Sequence, residues 1–337
     1  MVQETNKAYE GTYGSYTAII LKSGPYEAKM IPEIGGNLVS FRDVERGHSY
    51  LREPGEDHAE ELKENPGVYG IPVLFPPNRF EDGKFPWNGK VYQLPINEEA
   101  TGNHLHGFMH YIPWQVVSFG TNEQESYVVV EQIVREGHEF YKYLPFEYTI
   151  RLRYTLSELG LQQQVTIINE GKESMPNLLA FHTAIKAPFD ETSEACDYKV
   201  KATIGQRYEL NGRSLPTGNI QPLSNEEELL KTEGVNPYFE AMDNHYTSEP
   251  QNGRNYMELT NTKTGDTLVY DVGTSYKHWM IWNNNASNQF FCPEPQMNLV
   301  NAPNVTGKSN EEIGLIALEP GLVFEQSSRL YVVNRSL

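Results

Sequence analysis

The sequence contains very little cysteine. Cys196 and Cys292 are the only two in 337 residues, and they lie far apart and outside any CxxC spacing. This usage argues against a disulfide framework and favours a reducing compartment. We therefore expect a cytoplasmic protein.

Basic residues are scarce too, with 27 Lys and Arg against 45 Asp and Glu and a formal net charge of −18. Binding to phosphates needs clusters of Lys and Arg, so this composition argues against a nucleic-acid partner. It also disfavours polyanionic substrates and anionic membranes, although solubility is the simpler explanation of the acidic excess.

Long hydrophobic runs are missing as well. No apolar stretch approaches the roughly 20 residues that a membrane-spanning helix needs. The N-terminal stretch MVQETNKAYEGTYGSY lacks the basic start and apolar core of a secretory signal. Helical patterns are confined to about HAEELKE and NEEELLKT. We expect a soluble chain with no membrane partner and few helices.

The clearest pattern in the sequence is an alternation of apolar and polar residues with a period of two. In residues 146–156 (FEYTIRLRYTL) aromatic and aliphatic side chains alternate with charged and polar ones, which is typical of an amphipathic strand. The turn SELG and the alternating stretch LQQQVTIINEG then predict a long antiparallel hairpin. Similar short runs recur as YTAIILK, YVVVEQIV, KVKATI, TLVYDV, HWMIW and RLYVV. Without a βαβ rhythm or a linker, they predict an all-β fold: a large antiparallel β-sandwich forming one domain over residues 1–337.

The stretch FFCPEPQ places Glu294 between Pro293 and Pro295, directly after an apolar run. Each proline fixes its φ at about −65° and biases the preceding residue toward extended geometry. A base that must meet one proton in one position gains from such rigidity. Prolines at a strand end also have purely local explanations, so the stretch alone supports both interpretations equally. The similar ALEPG at Glu319 is typical of an ordinary strand and turn.

Three histidines occur in NHLHGFMH: His104, His106 and His110. Their spacing would allow a shared metal ion, but zinc sites usually add a carboxylate or thiolate partner, and the chain has neither HExxH nor a cysteine pair. On an extended segment His104 and His106 share one face. We favour polar-substrate binding, with metal ligation and a structural role as alternatives.

Three further side chains are candidates, each with a structural alternative. Arg79 follows two prolines in FPPNRFEDGKF, where a guanidinium could make forked hydrogen bonds or simply pair with Glu81 or Asp82. His182 ends the apolar run in LLAFHTAI, a setting in which histidine is usually a core residue. Asp243 lies in EAMDNHY, and such an aspartate is more often a turn residue.

The ordered segments GGNLVSFRD, NRF, HLHGF…W, FHTAI, MDNHY and EPQ resemble those of the aldose 1-epimerase (galactose mutarotase) family. Each is weak alone, and their order over about residues 31–300 is more specific. The resemblance implies an antiparallel β-sandwich with an open groove across one sheet. It also implies an isomerase that interconverts the α and β anomers of a hexose such as galactose or glucose, without cofactor or metal.

The resemblance also implies roles for individual residues. Glu294 matches the general base of the family and His182 its general acid. Its sugar-binding side chains match Arg79, His106 and Asp243. His104 has no firm counterpart, and we assign it to substrate binding only because it shares a face with His106.

One departure from the family bears on the substrate. HGFMHYIPW has the short spacing of a divergent branch that often carries HGFAR, but Met109 and His110 replace the Ala-Arg pair. Some members of that branch act on hexose 6-phosphates through arginines, so the missing arginine favours an uncharged sugar. The alternatives are a hexose-6-phosphate 1-epimerase, with cations such as Arg79, Lys84 or Lys186 beside the groove, and a non-catalytic carbohydrate-binding sandwich. We expect a monomer or homodimer.

Mutarotation requires a proton to leave the anomeric hydroxyl while another reaches the ring oxygen. The ring then opens, a bond rotates, and closure occurs on the other face. We expect an ionised Glu294 and a cationic His182 on opposite sides of the sugar, with Asp243 keeping His182 charged. The four tryptophans offer faces for the sugar's C–H surface, although we expect most of them in the core: Trp87, Trp114, Trp279 and Trp282.

Overall fold

The computed structural model describes residues 6–334, in which strands predominate. The strands of the first half are β1 (Lys7–Tyr13), β2 (Tyr16–Ser23), β3 (Tyr26–Ile31), β4 (Asn37–Asp43), β5 (His48–Ser49), β6 (Val73–Leu74), β7 (Arg79–Glu81), β8 (Lys84–Trp87), β9 (Lys90–Gln93), β10 (Asn103–Leu105), β11 (Gln115–Thr121), β12 (Glu125–Val134), β13 (Tyr148–Ser157) and β14 (Gly160–Asn169). Those of the second half are β15 (Met175–Pro176), β16 (Ala180–Phe181), β17 (Ile185–Lys186), β18 (Tyr198–Ala202), β19 (Ile204–Leu210), β20 (Pro216–Gln221), β21 (Asp243–Ser248), β22 (Tyr256–Asn261), β23 (Asp266–Asp271), β24 (His278–Trp282), β25 (Phe290–Gln296), β26 (Ala317–Leu318) and β27 (Val323–Asn334).

Helices are few and short, as predicted. The α-helices are α1 (Glu61–Glu64) and α2 (Asn225–Thr232), and 3₁₀ turns cover Glu56–His58, Pro66–Val68, Ala195–Asp197 and Ala302–Asn304. Within residues 6–334, no helix is both long and apolar enough to cross a membrane.

Two eight-stranded antiparallel sheets dominate the fold. One has the order β11-β12-β13-β14-β27-β23-β22-β18. The other, which we call the site sheet, has the order β20-β19-β21-β24-β25-β16-β6, with β17 also pairing with β25. A five-stranded sheet, β1 to β5, adjoins them, and one large apolar cluster includes residues of all three. The predicted all-β antiparallel sandwich is confirmed.

The hairpin predicted from the alternating pattern is β13–β14, paired from Tyr148 with Asn169 to Ser157 with Gly160. The apolar positions of β13 are buried, while Arg151 is exposed and pairs with Glu131 of β12. The period-two pattern therefore identified both the strands and the buried face.

Strand β25 contains the Pro-Glu-Pro stretch and is buried at all seven positions. Sequence reasoning expected the chain to leave the strand here, but the strand continues through both prolines. Along one edge it pairs with β24, from Trp282 with Cys292 to His278 with Gln296. On the other edge the pairings with β17 and β16 reach residues 290, 291 and 296 and omit 292–295. A proline, which has no N–H to donate, fits such an unpaired stretch.

His182 lies in the gap between β16 and β17, opposite this unpaired edge. The backbone of this segment bonds to residues 70 and 72 instead of to β25. The His182 N–H donates to the Pro72 carbonyl and the Ala184 N–H to the Gly70 carbonyl, each at 2.9 Å. The interruption therefore places the histidine next to the proline-flanked stretch that carries Glu294.

Asn283 directly follows β24 and is fully buried. Its side chain holds the segment that leads into β21 in place. Its side chain bonds to four backbone groups: the N–H of Met242 (2.9 Å) and Ala286 (3.1 Å), and the carbonyls of Pro237 (3.1 Å) and Glu240 (2.7 Å).

Replacing this amide should destabilise the fold. We expect Asn283→Ala to lower the free energy of unfolding by about 2–4 kcal/mol, because buried backbone groups lose their partners. Urea denaturation measures the change. Asn310→Ala, at an exposed asparagine, is the control and should stay within about 0.5 kcal/mol of wild type. Equal stability of the Asn283→Ala and Asn310→Ala variants would contradict the stabilising role assigned to the Asn283 side chain.

Candidate active site

A cavity of about 280 Å³ collects five of the six side chains that sequence reasoning selected. The selected residues that line it are Arg79, His106, His182, Asp243 and Glu294. The remainder of the lining is Gly67, Val68, Asn78, Leu105, Met280 and Trp282. Segments far apart in the chain therefore meet at one hollow on the site sheet.

His182 and Glu294 are in direct contact at this cavity. His182 Nε2 lies 3.1 Å from Glu294 Oε1, and the two side chains are only 8% and 2% exposed. Sequence reasoning expected them on opposite sides of a sugar, but the structure places them side by side. The two side chains are adjacent because Glu294 and His182 lie on the two sides of the same interruption in the site sheet.

Burial determines where the proton of this pair resides. It raises the pKa of Glu294 well above its usual range, and the charge of Asp243 adds to that shift. Burial and, to a smaller extent, the Arg79 charge lower the pKa of His182 to about 4. Two adjacent buried charges cost more than a neutral pair, so Glu294 holds the proton and donates it to Nε2 of His182. The expected cationic His182 is therefore wrong for the free protein, and Asp243 acts on Glu294 instead.

Arg79 is held between two carboxylates. Its Nε donates to Glu98 Oε1 at 3.0 Å and Oε2 at 3.1 Å, and its Nη1 lies 3.4 Å from Asp243 Oδ2. Sequence reasoning offered Glu81 or Asp82 as partners, but both pair with Arg213 (3.1 and 2.9 Å).

Sequence reasoning missed Glu98, which has no motif around it. Burial opposes its ionisation, but hydrogen bonds from Thr101 and Asn103 and the Arg79 charge keep the pKa of Glu98 below its ordinary value. An ionised Glu98 neutralises Arg79 and fixes the direction of the guanidinium. The exposed part of Asp243, 40% of its side chain, is left to face the cavity.

His106 reaches the cavity through a left-handed turn. Its φ is 66° and that of Gly107 is 62°, and its N–H donates to the Asn78 carbonyl at 2.9 Å. A Cβ at position 107 would lie 2.4 Å from the Phe75 carbonyl oxygen, so this position requires glycine. The His106 ring stands edge-on to that of His182, with 5.3 Å between centroids.

His104 does not line the cavity, in contrast to its predicted role in substrate binding. It is fully buried, its Nδ1 lies 2.7 Å from the Pro95 carbonyl oxygen, and its ring lies among Phe80 and Phe108. The left-handed turn at His106 breaks the alternation that would have given the two histidines one face. His104 is therefore a core residue in this fold.

Trp282 is the tryptophan that contributes to the cavity, with its ring centroid 5.9 Å from that of His182. The other three are buried in the core, as expected: Trp87, Trp114 and Trp279. The 3₁₀ turn Pro66–Val68 supplies the wall formed by Gly67 and Val68.

Among the described residues, no group of three or more His, Cys, Asp or Glu side chains is arranged to hold a metal ion. The side chains at the cavity can instead exchange protons, through Glu294 and His182, and make hydrogen bonds, through Arg79, His106 and Asp243.

Fold and cavity together define a β-sandwich protein with a small cavity at which an acidic and a basic side chain are in contact. The chain belongs to the aldose 1-epimerase family, whose model matches residues 18–331.

Solved structures agree with this. A galactose mutarotase-like protein from Clostridium acetobutylicum superposes with a TM-score of 0.94 at 31% identity, over 98% of this chain and 100% of that one. Galactose 1-epimerase from Lactobacillus acidophilus NCFM shares the fold, with a TM-score of 0.72 at 14% identity over 97% and 98% of the two chains. The uncharacterised protein YihR of Escherichia coli K12 is 24% identical over 147 residues, which cover 43% of this chain and 44% of YihR.

The proton placement can be tested by NMR. We expect the His182 ring to stay neutral from pH 7 down to about 4, because burial lowers its pKa to about 4. Ring ¹⁵N shifts recorded during a pH titration measure this, and the spectrum of His182→Asn assigns the signal. A midpoint above pH 6 would show that the imidazole is charged more readily than its burial implies.

Proposed function

We propose that this protein is an aldose 1-epimerase that interconverts the α and β anomers of an uncharged hexose such as galactose or glucose. The observation that carries the proposal is the hydrogen-bonded Glu294–His182 pair, 3.1 Å apart at the edge of a small cavity. Glu294 acts as the general base and His182 as the general acid.

Glu294 and His182 share one proton, which is the number that the reaction needs. To open the ring, Glu294 must take the anomeric proton and His182 must give one to the ring oxygen. The free protein, with the proton on Glu294, has the arrangement that follows ring opening. Transfer across the 3.1 Å hydrogen bond produces the charged form that starts the reaction. Closure reverses both transfers, so a turnover neither takes up nor releases a proton.

The other cavity residues suit a sugar. Arg79, His106 and Asp243 offer donors and acceptors for hydroxyl groups, while Trp282, Met280 and Val68 offer apolar surface for C–H groups. Ring opening needs two proton transfers and no electron sink, so these side chains suffice for the chemistry.

The surroundings favour a free sugar over a hexose phosphate. Of the cations considered from the sequence, Arg79 lines the cavity but is engaged by Glu98 and Asp243. Lys84 pairs with Asp82, and Lys186 lines a different cavity, of about 780 Å³. A non-catalytic binding site is disfavoured because recognition alone gives no reason to bury an acid beside a base.

Loss of the base should abolish most of the activity. We expect Glu294→Gln to slow anomer exchange of fresh α-D-galactose and α-D-glucose by about 10²–10⁴-fold, because the amide cannot accept the anomeric proton. Polarimetry of freshly dissolved sugar follows the reaction. Glu319→Gln, at an exposed glutamate that also precedes a proline, is the matched control and should behave as wild type.

Equal rates for wild type and Glu294→Gln on every sugar tried would overturn the proposal. Saturable sugar binding by wild type without any acceleration would instead favour the non-catalytic alternative.

The charge of the substrate gives a separate prediction. We expect kcat/KM for glucose to exceed that for glucose 6-phosphate by about tenfold or more, because a phosphate would meet the Asp243 carboxylate, and Arg79, the cation among the lining residues, is already paired with Glu98 and Asp243. Anomer exchange measured by NMR on both sugars, with the uncatalysed rates subtracted, decides this. A preference for the phosphate would support the hexose-6-phosphate alternative.

A further inference from the structure

Arg52 lacks the carboxylate partner that arginines in this chain usually have. Among residues 6–334, every arginine except Arg52 and Arg329 forms an ion pair with Asp or Glu. The Arg52 guanidinium lies over two aromatic rings instead, with its Cζ 4.2 Å from the centroid of Tyr69 and 3.9 Å from that of Phe290. Stacking occupies the planar faces of a guanidinium and leaves the N–H groups at its edge for hydrogen bonds.

The edge of this guanidinium holds one wall of the candidate site. Its Nη1 donates to the Val68 carbonyl at 3.0 Å and its Nη2 to the Tyr69 hydroxyl at 3.3 Å. Val68 belongs to the 3₁₀ turn Pro66–Val68, whose Gly67 and Val68 line the cavity. In the described part of the chain, the bond from Arg52 is the hydrogen bond that joins this turn to a distant segment. The Arg52 side chain is therefore the polar anchor of the wall.

The stacked face of the guanidinium reaches another side of the same cavity. Phe290 begins β25, and it projects from the same face of the site sheet as Glu294 because side chains alternate along a strand. The Phe290 ring stands edge-on to that of Trp282, with 5.6 Å between centroids, and Trp282 lines the cavity. One side chain thus contacts both the Val68 wall and the residue against which Trp282 packs.

Arg52 does not line the cavity itself, so its effect on a bound sugar is exerted through other residues. It also takes no part in the 3.1 Å contact between His182 and Glu294. Its backbone is held separately, since its N–H donates to the Ala184 carbonyl at 2.8 Å and its carbonyl accepts from the Gly70 N–H at 3.0 Å. A change of side chain therefore leaves these backbone bonds and the acid–base pair in place.

We propose that Arg52 is a positioning residue that holds Val68 and Trp282 against the bound sugar and so determines substrate affinity rather than the rate of proton transfer. This inference rests on the proposed function. Lysine cannot fill the role, because an ammonium keeps the charge but has neither planar faces for two rings nor N–H groups fixed in one plane.

The test is therefore Arg52→Lys. We expect KM for galactose and glucose to rise about tenfold, the effect of roughly one hydrogen bond, while kcat stays within about twofold of wild type. Initial rates of anomer exchange, measured by NMR over a range of sugar concentrations, give both constants. Arg329→Lys is the matched control, because Arg329 also lies over a tyrosine ring without a carboxylate partner but is exposed and does not line the cavity. It should keep both constants.

Chemical rescue separates positioning from a general loss of structure. In Arg52→Ala, added ethylguanidinium ion can stack on the two rings and donate to the Val68 carbonyl, so it should lower KM several-fold. The same ion should not change KM in Arg329→Ala. A higher KM caused by a loosened fold would not fall on addition of a guanidinium salt, because such salts weaken folded proteins.

The outcomes distinguish this inference from the proposed function. An unchanged KM in Arg52→Lys, or a loss confined to kcat, would overturn the inference while an active wild type leaves the function standing. A variant that does not fold would also overturn it, since Arg52 would then support the fold as a whole. If wild type accelerates no sugar, the function fails, and calorimetric dissociation constants for galactose and glucose decide the inference. Equal constants for wild type and Arg52→Lys, or no binding by either, would overturn it as well.

Discussion

The site depends on an interruption in one β-ladder. Between residues 291 and 296, one edge of β25 has no strand partner, and Pro293 and Pro295 occupy that edge. Because a proline has no N–H, it leaves no buried donor unsatisfied there. The opposite segment, freed from pairing with β25, bonds to residues 70 and 72 and carries His182. An acid and a base can thus be adjacent inside the site sheet.

Charge at the site is governed by desolvation. Burial acts on Glu294 and His182 in opposite directions, and both shifts favour the uncharged form of the pair. Arg79 favours deprotonation of both groups, which would remove the proton that the chemistry needs. Asp243 raises the pKa of Glu294 and so opposes that effect, while Glu98 neutralises the guanidinium. The arginine can therefore lie beside the pair without removing its proton.

Much of the fold could be predicted from the sequence because period two is a local signal. Each strand of the β13–β14 hairpin has its own buried face, so alternation fixed both strands and orientation. Glu294 stood out for a similar reason, since two prolines constrain it within three residues. The continuation of β25 through those prolines could not be predicted, because it depends on whether the far edge has a partner, which is a tertiary fact.

The same limit explains what sequence reasoning missed at the site. His104 and His106 share a face only if the chain between them stays extended, and the left-handed turn at His106 removes that condition. Glu98 contacts Arg79 across 19 residues with no motif to signal it. The residues next to a side chain in the sequence can therefore identify it as a candidate site residue. Its contact partners, however, are determined by how distant segments of the chain pack.

The histidines around the cavity determine part of its charge. His106 lies between His182 and His110, at centroid distances of 5.3 and 6.2 Å. Burial lowers the pKa of His110 to about 3 and that of His106 well below its usual range, so this row of imidazoles carries no charge at neutral pH. An arginine at position 110 could not lose its charge in this way. With Arg79 held by Glu98 and Asp243, these imidazoles add hydrogen-bonding groups near the cavity without adding positive charge.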